Sequence, residues 1–408
     1  MKILVAIAFL VILGYQIAPS TGFIPTKLLE IAARALSFSF EDAITHEDMT
    51  RNAILEVATE VLRDNPNPSD RQGSSQRLST LSDFDEEDLI TAYYGYHDHA
   101  RIGEFENAIE EIEEANSDTD FGDEQYVAAA HFDSEQFESG QNRLINLRHS
   151  IISSITAGDV GKARVDTGRF LHALQDFYSH TNWIENGNRA PNPVVGQLNQ
   201  RIENTASPTQ QTCTDCVRKG LFLKYYECND NIKSYLTTNQ ILTSGYAEDQ
   251  TDNTGRVIDK PYGKCSHGGY SVDATRDTFA RGGINKDGPY YRTSPHHYLY
   301  YEAVAVAQQA TIDMFRDVRR EVNNDQLFGT YLGVFLSRAA MESMALRNGV
   351  NTIPMKTRQK RLPTTDELLL LQYAEQVNGK YTYTFIHMQC TPAARGRLLA
   401  TTLPQLSF

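Results

Sequence analysis

Ile54, Leu55, Ala58, Val61 and Leu62 recur at helical spacing behind Thr45, a capping residue with an acid three positions on at Asp48. The spacing predicts a helix that begins at Thr45 and ends near Asn65-Pro66. Residues 65–85, rich in Asn, Pro, Ser, Gly and charge, read as a surface loop. Helical periodicity resumes near residue 101 with Phe105, Ala108, Ile109 and Ile112, and again over 138–157 with Leu144, Leu147, Ile151, Ile152 and Ile155. A further helix is predicted after Gly158-Asp159, where Ala163, Val165, Phe170, Leu171, Leu174 and Phe177 are available for packing. Strand alternation is scarce before residue 380, so the pattern predicts an all-α core.

Residues 186–293 change character: Gly, Asn, Pro, Thr and Tyr rise, and cysteines cluster. This stretch reads as an irregular insertion between two core helices. Helix is expected to return at Ser294-Pro295, a capping Ser with Pro at the first helical position, and to run through Val304, Ala307, Ile312 and Phe315. The helical domain is taken as 23–348, and 349–408 as a linker and tail. Within that linker Arg358-Gln359-Lys360-Arg361 has the spacing of a secretory convertase site, although a basic run in a solvated loop has the same look.

The first 22 residues read as a signal peptide: Lys2, then an apolar run from Ile3 to Leu13 too short to span a bilayer, then small and polar residues around Ala18 to Gly22. No later apolar run reaches membrane-spanning length, so the expectation is a secreted, extracellular product without a transmembrane segment. The 38 basic and 52 acidic residues give a formal charge of −14, which argues against a surface that coats nucleic acid. An excess of carboxylate also suits a framework neutralised in part by bound cations. Behind a signal peptide, Cys213, Cys216, Cys228 and Cys265 are expected to form two disulfides, with three pairings open. Cys390 stands apart, as a free thiol or a route to intermolecular pairing.

The chemistry lies in the histidines. His172, Asp176 and His180 are spaced i, i+4, i+8, confining them to an arc of roughly 80° on one helix face. Imidazole and carboxylate are ligands that zinc takes, and helical i, i+4 spacing lets two side chains reach one ion. His46, His131-Phe132-Asp133 and His296-His297 lie at helix starts or short loops, where ligands from separate helices converge on a bundle core. His267, two residues after Cys265, suggests that residues 213–265 form a disulfide-pinned flap beside the metals, with His267 as a ligand or substrate contact.

The run Leu171-His172-Ala173-Leu174-Gln175-Asp176-Phe177-Tyr178-Ser179-His180-Thr181-Asn182-Trp183 and the motif Gly263-Lys264-Cys265-Ser266-His267-Gly268-Gly269 resemble the amino-terminal region of the von Willebrand factor A domain-containing protein 7 and Het-C family. With Thr45 to Ile54 and His131-Phe132-Asp133, their order is similar to zinc-dependent phospholipases C and single-strand nucleases. That resemblance covers roughly residues 40–332 and implies a helical domain holding two or three zinc ions. It implies His131, His172 and Asp176 as ligands of one zinc, with Asp176 bridging to a second ion held also by His46. An upstream carboxylate completes the set, for which Asp118 is the choice and Asp120 the alternative. His180 matches the first ligand of a third zinc, whose partners are expected from a late His-x3-Glu.

Here the chain departs from the superfamily pattern, since His296 and His297 are each followed three residues on by Tyr; His267 is the candidate replacement. The superfamily also uses the mature amino-terminal residue as a ligand, and no Trp stands near the cleavage point. Nor does an Asp-x-Ser/Thr-x-Ser motif follow Phe328 to Gly333, where relatives continue into a von Willebrand factor A domain. The implied activity is metal-assisted hydrolysis of a phosphodiester, with a phospholipid head group or a nucleic acid as substrate and Asp118 as the catalytic carboxylate. The alternative is a non-catalytic extracellular interaction module with structural zinc, its protein partners unspecified.

Overall fold

A computed structural model describes residues 23–336, apart from 28, 32–33, 35–41, 221–224 and 270–278. The expected signal peptide, the linker and tail with the basic run at 358–361, and Cys390 lie outside the described residues.

The chain is mostly helical, as its periodicity predicts. Helix α1 (His46–Asp64) starts at the capping box formed by Thr45 and Asp48, and Asn65 is its C-cap. Short helices α2 (Arg71–Thr80) and α3 (Glu86–Tyr94) follow. Then come α4 (His99–Phe121), α5 (Phe137–Ala157) and α6 (Val160–His180). After the insertion the chain forms α8 (Tyr300–Val322) and α9 (Asp325–Leu332). Helix α6 is the central one, packed against α4, α5 and α8, while α1 lies against α4 and α8. Phe105, Ile109, Ile112, Leu144, Ile151, Phe170, Leu171, Phe177, Ala307 and Phe315 form one continuous core. Gly168 sets the α4–α6 spacing, because a Cβ there would meet the Ile112 carbonyl oxygen at 2.4 Å and the Asn116 nitrogen at 2.6 Å. That close approach brings the last turns of α4 against the ligand face of α6.

Three expectations need correction. Residues 65–85 are not all loop: Asp70 caps α2, whose buried residues Ser74 and Leu78 are too few to make a visible stripe. Ser294 does not cap a helix; its hydroxyl donates to Asn285, and helical bonding starts with a 3₁₀ turn at His297–Leu299. Val165 is exposed rather than packed, on the face of α6 turned from the core.

The stretch between α6 and α8 is irregular, holding a two-stranded antiparallel ribbon, β1 (Val217–Lys219) with β2 (Tyr225–Glu227), and the single short turn of α7 (Ser234–Thr238). Disulfides Cys213–Cys265 and Cys216–Cys228 pin it around a second small core of Ile232, Leu236 and Ile284. Two fully buried lysines tie it to the helices. Lys264 pairs with Glu135, and Lys286 donates to Glu185 and to the Thr181 and Ile284 carbonyls. Among the described residues no helix is long and apolar enough to cross a membrane.

Candidate metal centre

Helical register delivers most of the site. His46 is the first residue of α1, fixed by the capping box before it. His172, Asp176 and His180 project from one face of α6 as their spacing requires, and all three are completely buried. Helix α4 contributes Asp120, and His131 follows the 3₁₀ turn Ala128–Ala130.

Asp176 lies between two groups. Its Oδ1 is 3.1 Å from His46 Nε2, and its Oδ2 is 3.0 Å from both His131 Nδ1 and His172 Nε2. Asp120 Oδ1 is 3.4 Å from His172 Nε2 and 3.7 Å from His131 Nδ1. The donor set His46, His172 and Asp176 adjoins Asp120, His131 and His172, with the ligand atoms of each within 4.8 Å of one another. A cation fits here better than the side chains alone, since both oxygens of Asp120, Oδ1 of Asp176 and Nε2 of His46 are buried without a hydrogen-bond partner. Leaving four such atoms unpaired in a dry interior is costly. The facing nitrogens of His131 and His172 are 3.0 Å apart, near the separation of about 3.3 Å between tetrahedral nitrogens each 2.0–2.1 Å from zinc.

The electrostatics agree. Burial works to lower the His172 pKa but is outweighed by Asp176 and Asp120, which hold it up at about 10. Burial likewise opposes ionisation of Asp176, yet His172 and His180 keep it well below the ordinary carboxylate range. A site that holds a proton this tightly is one that calls for positive charge.

A third group forms one turn further along α6. His180 Nδ1 donates to the His131 carbonyl (2.9 Å), leaving Nε2 3.0 Å from Nε2 of His267, whose own Nδ1 donates to the Gly268 carbonyl (2.7 Å). Asp133 belongs to the same donor group, its Oδ1 3.1 Å from His180 Nδ1 and without a hydrogen-bonded partner, and Asp287 Oδ1 is 3.4 Å from His180 Nε2. The insertion thus contributes His267 to a donor group in which α8 has no residue. Gly283, at φ +157°, permits this, because a Cβ there would strike the His267 carbonyl oxygen at 2.2 Å.

The remaining assigned residues lie elsewhere. Asp118 is exposed, since two residues along α4 turn it roughly 200° from Asp120. It lines a surface depression with Glu111, Glu114, Asp123 and Glu124, so Asp120 is the carboxylate of the cluster. His296 is spent on other partners, with Nδ1 2.6 Å from Glu185 and Nε2 2.7 Å from Asn231. His297 is half-buried against the rings of Tyr291 and Tyr298 and belongs to none of the three groups. Asp133 was marked in the sequence only as part of the His131-Phe132-Asp133 cluster, without a place in a ligand set, while nothing local marks Asp287.

Similarity to known proteins follows the same stretch of chain. A family model described as the VWA7 N-terminal domain matches residues 84–328. The human protein named von Willebrand factor A domain-containing protein 7 is 33% identical over 319 residues, 77% of this chain and 32% of its own length. Its mouse counterpart is 33% identical over 328 residues, covering 80% of this chain and 33% of its own. The rat protein is 34% identical over 310 residues, or 74% and 31%. The chain therefore spans about a third of the length of these relatives. No solved structure matches. With more than half of its residues matched, the chain belongs to the family defined by the amino-terminal domain of von Willebrand factor A domain-containing protein 7.

Proposed function

We propose that this is a secreted domain that holds two or three zinc ions and uses the Asp176-bridged pair to hydrolyse a phosphodiester. The observation that carries the reading is the position of Asp176, with one carboxylate oxygen at His46 and the other at His131 and His172. Cysteine is absent from all three donor sets, and three protein ligands per set is the pattern that leaves a position for water. Zinc, when bound, supplies a water of lowered pKa and polarises a phosphoryl oxygen. Asp120 holds and orients within that cluster, the role first given to Asp118.

Processing fits the same reading. The expected signal ends at residue 22, and the ring of Phe23 packs edge-on against His46 at 5.8 Å. Removal of residues 1–22 creates an α-amino group on a residue already against His46, in keeping with the terminal ligand that the resemblance implies. The formal charge of −14 favours a small or zwitterionic head group over a long nucleic acid.

The rival reading, structural zinc in a non-catalytic module, is favoured by the burial of every ligand in the three donor sets. The test is turnover of bis(p-nitrophenyl) phosphate and of a phosphocholine lipid by the zinc-loaded secreted chain. Turnover lost in Asp120→Asn supports hydrolysis; stoichiometric zinc with no turnover on either substrate favours the structural module.

A further inference from the structure

We propose that Thr311 and Gln175 act as a polar relay that sets which nitrogen of His46, and through Asn116 which nitrogen of His172, faces the Asp176 cluster. The inference rests on the metal-binding reading above, and it concerns residues that the ligand pattern does not include.

The relay starts at a group whose role is fixed. The Ala307 carbonyl can only accept, and the Thr311 hydroxyl donates its one proton to it (2.8 Å). Thr311 Oγ1 must therefore accept from Gln175, whose Nε2 donates across 3.1 Å. The amide is oriented by that bond, so Gln175 Oε1 is the atom facing His46 and Asn116. It accepts from His46 Nδ1 at 2.5 Å and from Asn116 Nδ2 at 3.1 Å. Asn116 Nδ2 also donates to Thr50 Oγ1 at 3.1 Å, which turns Asn116 Oδ1 toward His172 Nδ1 at 3.0 Å. Each imidazole is thus held with a proton on Nδ1 and with Nε2 directed at Asp176, so that Nε2 is the nitrogen that would face an ion once one is bound.

All five side chains, Thr311, Gln175, Asn116, His46 and His172, are completely buried, so water does not compete for these bonds. One amide oxygen serves ligands of both ions. A reversed Gln175 amide would place a donor against the His46 proton and another against Asn116, which disfavours both ligands at once. Gln175 and Thr311 are positioning residues: Gln175 touches His46, and Thr311 acts through Gln175.

The test exploits the two ways of trimming threonine. Thr311→Val keeps the shape and removes the hydroxyl; Thr311→Ser keeps the hydroxyl and removes a methyl. Zinc affinity, measured by competition with a chromogenic chelator, is expected to fall about 10–100-fold in Thr311→Val and to stay within about 3-fold of wild type in Thr311→Ser. Packing alone predicts the opposite order. ¹⁵N-histidine spectra of the zinc-loaded protein should show protonated Nδ1 at His46 and His172 in wild type and Thr311→Ser. Equal affinity of the Val and Ser variants, or protonated Nε2 at either histidine in wild type, overturns the relay while leaving the zinc reading in place. A wild type that binds no zinc overturns both.

Discussion

The Asp176-bridged pair and the His180–His267 group share one helix but are built in different ways. The pair takes its ligands from regular helices and the turn at His131, and the relay behind it is likewise helical. The third group depends on irregular backbone. Phe132, Ser134 and Glu135 all have positive φ around Asp133, and His267 sits just beyond the Cys213–Cys265 disulfide. Insertion residues brace that turn: the Gly245 carbonyl accepts from the Ser134 amide, Ser244 Oγ accepts from the Glu135 amide, and Gln250 bonds both Asp133 and Ser134. Helix packing therefore secures one site, and cross-linking of a loop secures the other.

The largest effect should come from Asp176→Ala, which removes the carboxylate that lies between His46 on one side and His131 and His172 on the other. Zinc affinity at the pair should fall more than ~100-fold, beyond the range typical of outer-shell changes. The metal-free chain should lose about 3–5 kcal/mol in chemical denaturation, because His172 is left charged without its main partner. Retention of the third ion in this variant would show that the two regions are separable.

Replacing Cys213 and Cys265 together by Ser should cost about 2–4 kcal/mol and release the third ion while the pair stays loaded. Loss of all zinc in that variant would mean that the insertion supports the whole cluster.

These two regions were unequally legible in the sequence. The i, i+4, i+8 spacing on α6 placed His172, Asp176 and His180 together, because helical geometry is local. The same geometry, read on α4, separates Asp118 from Asp120, but choosing between them required knowing which face of α4 meets α6, a consequence of the close approach at Gly168. His267 was marked by its nearness to Cys265, whereas the pairing of the cysteines and the arrival of Asp287 depend on loop paths that no periodicity encodes. His296 had the right composition and neighbourhood, and its diversion to Glu185 and Asn231 is a tertiary fact.

A smaller effect should appear in the pH dependence of the metal-free protein. His172 has its pKa raised to about 10, so its contribution is fully present below the unfolded value of about 6.5 and is lost as pH rises toward 10. The depressed pKa of Asp176 contributes stability above the unfolded carboxylate value, lost as pH falls well below it. Melting temperature of the metal-free chain should therefore decline between pH 7 and 10. The zinc-loaded chain should stay level over that range, since the cation replaces the proton. Parallel curves for the two forms would detach His172 from the metal.

Least affected should be Asp118→Asn and His297→Ala, which belong to no donor set; stability within about 0.5 kcal/mol of wild type and unchanged zinc content are expected. Zinc loss in Asp118→Asn would restore it to the site in place of Asp120.

The most direct measurement is the metal content of the purified chain, prepared with zinc and without chelator, beside its Asp176→Ala variant. Two or three zinc ions per wild-type chain, with the two at the pair missing in the variant, is the predicted result. Wild-type protein that retains no transition metal, or a variant that retains the same number, would contradict the account.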